Sequence, residues 1–106
     1  MSYQAKVLPE TLLDVDTAGI SGTYASMGTL TNPLVQVYIS NFSDTDVILS
    51  RDGVNDHWAV PAGTLLELNI RGNSWNQQEG ALPPSTIYIK GSSGTGFVYF
   101  GGMYQD

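Results

Sequence analysis

The sequence predicts an all-β fold, a small antiparallel β-sandwich or jelly roll of about seven to eight strands. Three observations predict it. Apolar residues recur with a period of two in most segments. Twelve glycines and five prolines punctuate those segments, at spacings of about ten residues as in sandwiches and barrels. Charged residues make up only 13% of the chain, and Ser, Thr, Asn, Gln and Gly carry the polarity. A typical soluble domain has roughly 25%, so the strand faces are expected to be neutral and suited to packing against neighbours. The length of 106 residues suits one domain, residues 1–106.

Taken in order, residues 1–10, "MSYQAKVLPE", read as a first strand or as an extended arm reaching a neighbouring subunit. Tyr3, Lys6 and Leu8 are its candidate contacts. In "PETLLDVDTAG", Pro9 and Glu10 form a helix-start signal. Leu12, Leu13 and Val15 build no helical stripe, so extended structure is expected there. "TYASMGTL" is a strand of weaker pattern. "LVQVYISN" puts Val35, Val37 and Ile39 on one face and Gln36, Tyr38 and Ser40 on the other. "DVILS" and "HWAV" flank "RDGVND", which reads as a hairpin tip. Asp52 and Gly53 suit its turn, and Asn55 or Asp56 can cap loop amides. Trp58 begins the return strand and is a candidate contact.

"VPAGT" is a further turn, with Pro61 and Gly63, leading into "TLLELNI". There Leu66, Leu68 and Ile70 alternate with Leu65, Glu67 and Asn69. The longest loop, "RGNSWNQQEGALPP", carries Trp75, which either makes a subunit contact or folds back over the core. "STIYIKG" alternates through Ile87 and Ile89. "GSSGTG" lacks the lysine and the following helix of a phosphate-binding loop and reads as a hairpin loop. "GFVYFGGMYQ" is apolar on both sides and is expected to be covered on both faces, with Tyr104 as a contact.

The segment "SRDGVNDHW" concentrates two aspartates, an asparagine and the only histidine. Catalysis through His57 would need a serine or threonine nucleophile and an orienting acid. No serine lies in a nucleophile-elbow context, and Asp56, adjacent in sequence, would point away from the ring in an extended strand. No catalytic residue is therefore expected. Asp52, Asn55 and Asp56, with Asp44 and Asp46 nearby, offer oxygen ligands for calcium, but the EF-hand spacing is missing. Zinc would need more histidine or cysteine, and the chain has no cysteine. No metal and no cofactor are expected.

The net charge is −6, and the cations Lys6, Arg51, Arg71 and Lys90 form no cluster. Direct nucleic-acid binding is therefore not expected, nor is attachment to an acidic membrane. No apolar run approaches the ~20 residues of a membrane span. The first residues lack a signal-peptide pattern, which leads to an expectation of folding in the cytoplasm.

The run "ISNFSDTDVILSRDGVNDHWAVPAGTLLELNI" resembles a pattern in small virion proteins of tailed bacteriophages. The matching residues are Asn41, Asp44, Asp46 and Val47, then Ser50, Asp52, Gly53, Asp56 and His57, then Pro61 to Thr64. Tyr88 to Gly91 and Gly94 to Tyr99 complete the match, which spans roughly residues 34 to 104. Most matched residues are strand and turn formers. The resemblance implies a non-enzymatic β-sandwich subunit of a virion, assembled in a bacterial host cytoplasm. A capsid decoration or cement protein is the first expectation, a homo-oligomer clamping adjacent copies of the major capsid protein. A head–tail junction, tail or fibre attachment protein with neck or tail partners is the alternative. A carbohydrate- or calcium-binding β module using Trp58, Trp75 and the acidic loops is a reading from another class.

Overall fold

A computed structural model describes residues 7–69 and 85–105. These residues hold nine strands: β1 (Val7–Pro9), β2 (Leu13–Asp16), β3 (Ala25–Thr29), β4 (Leu34–Asn41), β5 (Val47–Ser50), β6 (Trp58–Val60), β7 (Leu65–Asn69), β8 (Thr86–Gly91) and β9 (Phe97–Gln105). The segment with the helix-start signal is extended through β2 and then makes one 3-10 turn, Thr17–Gly19, whose first amide-rich end is capped by Asp16. The short β1 and β2 raise the strand count to nine, above the seven or eight expected.

The strands form two antiparallel sheets. One has the order β1-β9-β4-β7, with β2 also paired to β9, and the other has the order β3-β8-β5-β6. The pairing is nested: β5 pairs with β6, β4 with β7, β3 with β8 and β2 with β9. Rolling such a long hairpin adds the contacts β4 with β9 and β5 with β8. This is the strand order of a jelly roll.

The core lies between the sheets. Val37, Ile39, Val98 and Phe100 from the five-stranded sheet meet Val47, Leu49, Ile87 and Ile89 from the other, all of them buried. Alternation places these residues inward on each strand. One reading of the alternation is corrected at β4. The β4–β9 register shifts between Leu34 and Gln36, leaving Val35 as an extra residue in a bulge. Leu34 is therefore fully buried, and Val35 is only half-buried.

Two polar groups hold loops to this core. Asn41 is fully buried. Its amide donates to the Thr45 and Val60 carbonyls, each at 2.9 Å, and its Oδ1 accepts from the Ser43 amide at 3.0 Å. Glu10 is 8% exposed and closes one end of the sandwich. Its Oε2 accepts from the backbone amides of Thr31 at 2.8 Å and Asn32 at 2.9 Å, and its Oε1 accepts from the Asn32 side chain at 3.1 Å. Burial pushes the Glu10 carboxyl up, but the amides of Asn32 and Thr31 outweigh that and hold it below the usual range.

Candidate functional site

The acidic loop after β5 is built around two side chains. The Ser50 hydroxyl donates to Asp52 Oδ1 at 2.8 Å and accepts from the amides of Asp52 at 3.1 Å and Gly53 at 3.0 Å. Asp52 Oδ1 accepts in turn from the amides of Val54 at 2.8 Å and Asn55 at 2.9 Å, and the Asn55 side chain donates to Oδ2 at 2.8 Å. The Asn55 and Val54 amides hold the Asp52 carboxyl well below the usual carboxylate range. Gly53 takes φ 77°, where an L side chain is strained, and an added methyl would meet the Tyr88 ring at 3.4 Å.

His57 completes the loop. Its Nδ1 accepts from the Arg51 amide at 3.0 Å, which fixes the proton of the neutral ring on Nε2. Its own amide donates to the Leu49 carbonyl at 3.0 Å. The lone pair a general base would need is thus engaged by backbone, and the Ser50 proton points to Asp52. Asp56 neither orients His57 nor caps the turn. It accepts from the Tyr24 hydroxyl and pairs with Lys90 Nζ at 3.0 Å. Lys90 also lies 4.5 Å from the centre of the Tyr24 ring. The Tyr24 bond, then the Lys90 bond, lower the Asp56 carboxyl. Burial, reinforced by Asp56, pushes the Tyr24 hydroxyl up to about 12. The carboxylates of Asp52 and Asp56, the Ser50 hydroxyl and His57 Nδ1 are thus engaged within the chain, while Arg51 Nε is buried without a hydrogen-bond partner. Among the described residues no group of three or more His, Cys, Asp or Glu side chains could hold a metal ion.

The other turn residues sit between β6 and β7. Gly63 takes φ 74°, the Thr64 amide donates to the Pro61 carbonyl at 3.2 Å, and the Ala62 amide donates to Asp46 at 2.9 Å. Of the candidate contacts, Trp58 is half-buried, with its ring 5.9 Å from that of Phe100. Tyr104 is half-buried against the core and lies opposite Leu8 in the β1–β9 register. Both aromatics are thus engaged within their own chain. Tyr3, Lys6 and Trp75 lie outside the described residues.

The exposed apolar surface is elsewhere, on the outer face of the five-stranded sheet. Among the described residues, four of the five large hydrophobic residues that are exposed, Leu12, Phe42, Leu65 and Phe97, belong to this end of the sheet. Register explains their grouping. Ser40 of β4 lies between Tyr99 of β9 and Leu65 of β7, and Tyr38 lies between Gly101 and Glu67. The Phe42 ring stands edge-on to Tyr99 at 5.9 Å, and Phe97 stacks beside Tyr99 at 6.2 Å. Leu12, Tyr38, Phe42 and Tyr99 wall an open cleft of about 400 Å³ over Ser40. Gly101 makes room for it, since a methyl there would fall 2.8 Å from the Tyr38 ring and 3.0 Å from Leu12.

In the sequence this surface is the outward half of "GFVYFGGMYQ" and "LVQVYISN", where Phe97, Tyr99 and Tyr38 alternate with the core residues but carry no signal of a contact surface. The expectation that β9 is covered on both faces is met only in part within the described residues: on its outer face Gly101 is buried and Tyr99 and Met103 are half-buried. Val98 and Phe100 are buried, while Phe97 remains 42% exposed. A second open groove, of about 640 Å³, lies on the opposite sheet, lined by Ile20 and Ile48 with Asp46 and Lys90 beside it.

No protein-family model matches the chain, and no curated protein matches it. Among solved structures, a chain from Bacillus endospore appendages, described as a novel family of disulfide-linked pili, aligns at TM-score 0.47 and 14% identity. The alignment covers 98% of this chain and 92% of that one. At that TM-score the likeness assigns neither family nor function. The chain described here has no cysteine with which to form a disulfide link.

Proposed function

We propose that this protein is a non-enzymatic structural subunit of a tailed-phage particle, and that it binds the particle through the outer face of its five-stranded sheet. The observation that carries this reading is the exposed cluster of Phe42, Phe97, Leu65 and Leu12 beside Tyr38 and Tyr99. Aromatic residues gathered on one solvent-facing surface favour a protein contact. The jelly-roll strand order, used by viral capsid and lectin domains, is compatible with it. So is the resemblance of the segment from Asn41 to Thr64 to phage virion proteins. Within the particle, capsid decoration is the favoured role, with the neck or tail as the alternative. Many copies, each adding a modest contact between capsomers, would resist the outward strain of a packed genome.

The test is to count the protein in purified particles and to add it back to particles that lack it. Hundreds of copies, together with failure of Phe42→Ser/Tyr99→Ser to add back, support capsid decoration. Six or twelve copies point to the neck or tail. A protein that never joins a particle overturns the proposal. A second reading, a carbohydrate-binding module, is favoured by the hydroxyl of Ser40 at the floor of an aromatic-walled cleft. Glycan binding that is lost in Tyr99→Ser, with no particle association, would establish it instead.

A further inference from the structure

The outer face of the five-stranded sheet is not only apolar. Among the described residues its charged positions all carry one sign. Asp14 of β2 lies opposite Tyr99, and Asp16 lies opposite Phe97. Glu67 of β7 lies opposite Tyr38. All three side chains are exposed. In register across neighbouring strands, such partners have Cβ atoms about 5 Å apart, so the carboxylates fringe the aromatic cluster directly. The described cations are elsewhere. Arg51 follows β5 and Lys90 lies on β8, both belonging to the other sheet, and Lys90 is paired with Asp56.

We propose that this face receives a protein surface carrying arginine or lysine side chains around an apolar centre, and that it does not close upon the same face of a second copy. The inference rests on reading the face as a contact surface and specifies the chemistry of what covers it. A two-fold pairing of identical faces would bring the acidic fringe of one copy against that of the other, and like charges around a desolvated apolar centre oppose such a dimer. Cations around the partner's apolar centre reverse the sign of that interaction. Arginine suits the geometry best. Its guanidinium can fork onto Asp14 or Glu67 while its plane lies on the Tyr99 or Tyr38 ring. The four strands β2, β9, β4 and β7 make the face roughly 14 Å wide at ~4.8 Å per strand, enough for one strand or helix of a partner to lie across it. Self-association of the protein, where it occurs, then uses another surface.

The test is a titration of the full-length isotopically labelled chain, followed by amide NMR. The probes are two peptides, acetyl-Leu-Arg-Leu-Arg-Leu-Arg-Leu-amide and its glutamate counterpart, and a neutral malto-oligosaccharide. The proposal expects the arginine peptide to shift the amides of Ser40, Tyr99 and Gly101, and the glutamate peptide to leave them unmoved. Affinity should fall with added salt. The variant Asp14→Asn/Asp16→Asn/Glu67→Gln should bind the arginine peptide about tenfold more weakly, the sum of three exposed ion pairs, while its core amides stay in place. Equal binding of both peptides overturns the proposal. So does concentration-dependent dimerisation that shifts the same amides, or a response to the oligosaccharide alone. These outcomes are separable from particle association. A chain that binds the arginine peptide yet joins no particle keeps the proposed partner chemistry and loses the virion role. A chain that joins particles but ignores the peptide does the reverse.

Discussion

The Ser50 hydroxyl and His57 Nδ1 stand 3.5 Å apart, and each is already committed to another partner. Ser50 gives its proton to Asp52, and Nδ1 receives the Arg51 amide. The pair has the composition of a nucleophile and its base without the electronic arrangement. A serine-reactive fluorophosphonate should therefore leave Ser50 unlabelled, as judged by intact mass. Ser50→Ala should instead destabilise the fold by about 2 kcal/mol, because it strands two loop amides and removes a buried hydroxyl. Thermal unfolding measures this. Labelling at Ser50 would contradict the loop geometry.

Glu10 should act as an acid-sensitive clasp. Its carboxyl is depressed in the folded chain below its ordinary value of 4.5. A depressed folded value means that the unfolded chain binds more protons, so the stabilisation is present above the unfolded value and is lost as pH falls through the folded one. Glu10→Gln should flatten the fall in stability on acidification below about pH 4.5. Glu10→Ala should cost about 2 kcal/mol at neutral pH, as expected for charge-assisted bonds from a buried carboxylate to partly buried amides. Denaturant unfolding across pH separates the two variants.

The Tyr24 hydroxyl should ionise late. Burial and Asp56 raise it from 10.0 to about 12. A group with a raised folded value contributes stability that is present below its unfolded value and lost as pH rises through the folded one. The relevant window is therefore pH 10 to 12. Asp56→Asn should move the Tyr24 titration back toward 10, observed by carbon NMR of labelled tyrosine. An unmoved titration would mean that Asp56 does not govern it.

Adjacent glycines in β9 should respond differently to alanine. At Gly102 a methyl would fall 2.5 Å from the Gln36 carbonyl and 2.7 Å from Leu34, in the middle of the sheet. Gly102→Ala should cost about 2 to 3 kcal/mol through overpacking. At Gly101 the methyl meets side-chain atoms, of half-buried Tyr38 and exposed Leu12, rather than backbone. Gly101→Ala should be milder in thermal unfolding but should displace Tyr38 and weaken arginine-peptide binding.

Much of this architecture could be read from residue order, and the limits have physical causes. Ile87, Ile89, Leu66 and Leu68 fall on the faces that their alternation indicates. Val35 does not, because a bulge is a pairing irregularity that adds a residue without leaving a local signature. The nested strand order depends on pairings such as Leu13 with Phe100, which no window along the chain can show. The conspicuous tryptophan Trp58 and the terminal Tyr104 turned toward the core, where large aromatics bury most area. The aromatics of the outer face came instead from outward positions in regular strands, where Tyr38 and Tyr99, both half-buried, look like ordinary strand formers. The carboxylate fringe becomes visible only when β2, β9, β4 and β7 are laid side by side.

The nested pairing also sets an order of events in time. The β5–β6 pair closes the fewest residues, and β4–β7, β3–β8 and β2–β9 each enclose the pair before it. Loop closure costs least for the innermost pair, and once that pair forms, each further closure starts from ends already brought close. The loop of Ser50, Asp52 and His57 is thus the natural starting point of a zipper. Disrupting it should slow refolding as well as speed unfolding, so that both arms of a chevron move. A chain with the wrong register at that tip would carry the error outward through every later pair. The concentration of hydrogen bonds in so short a loop would then favour the first correct pairing.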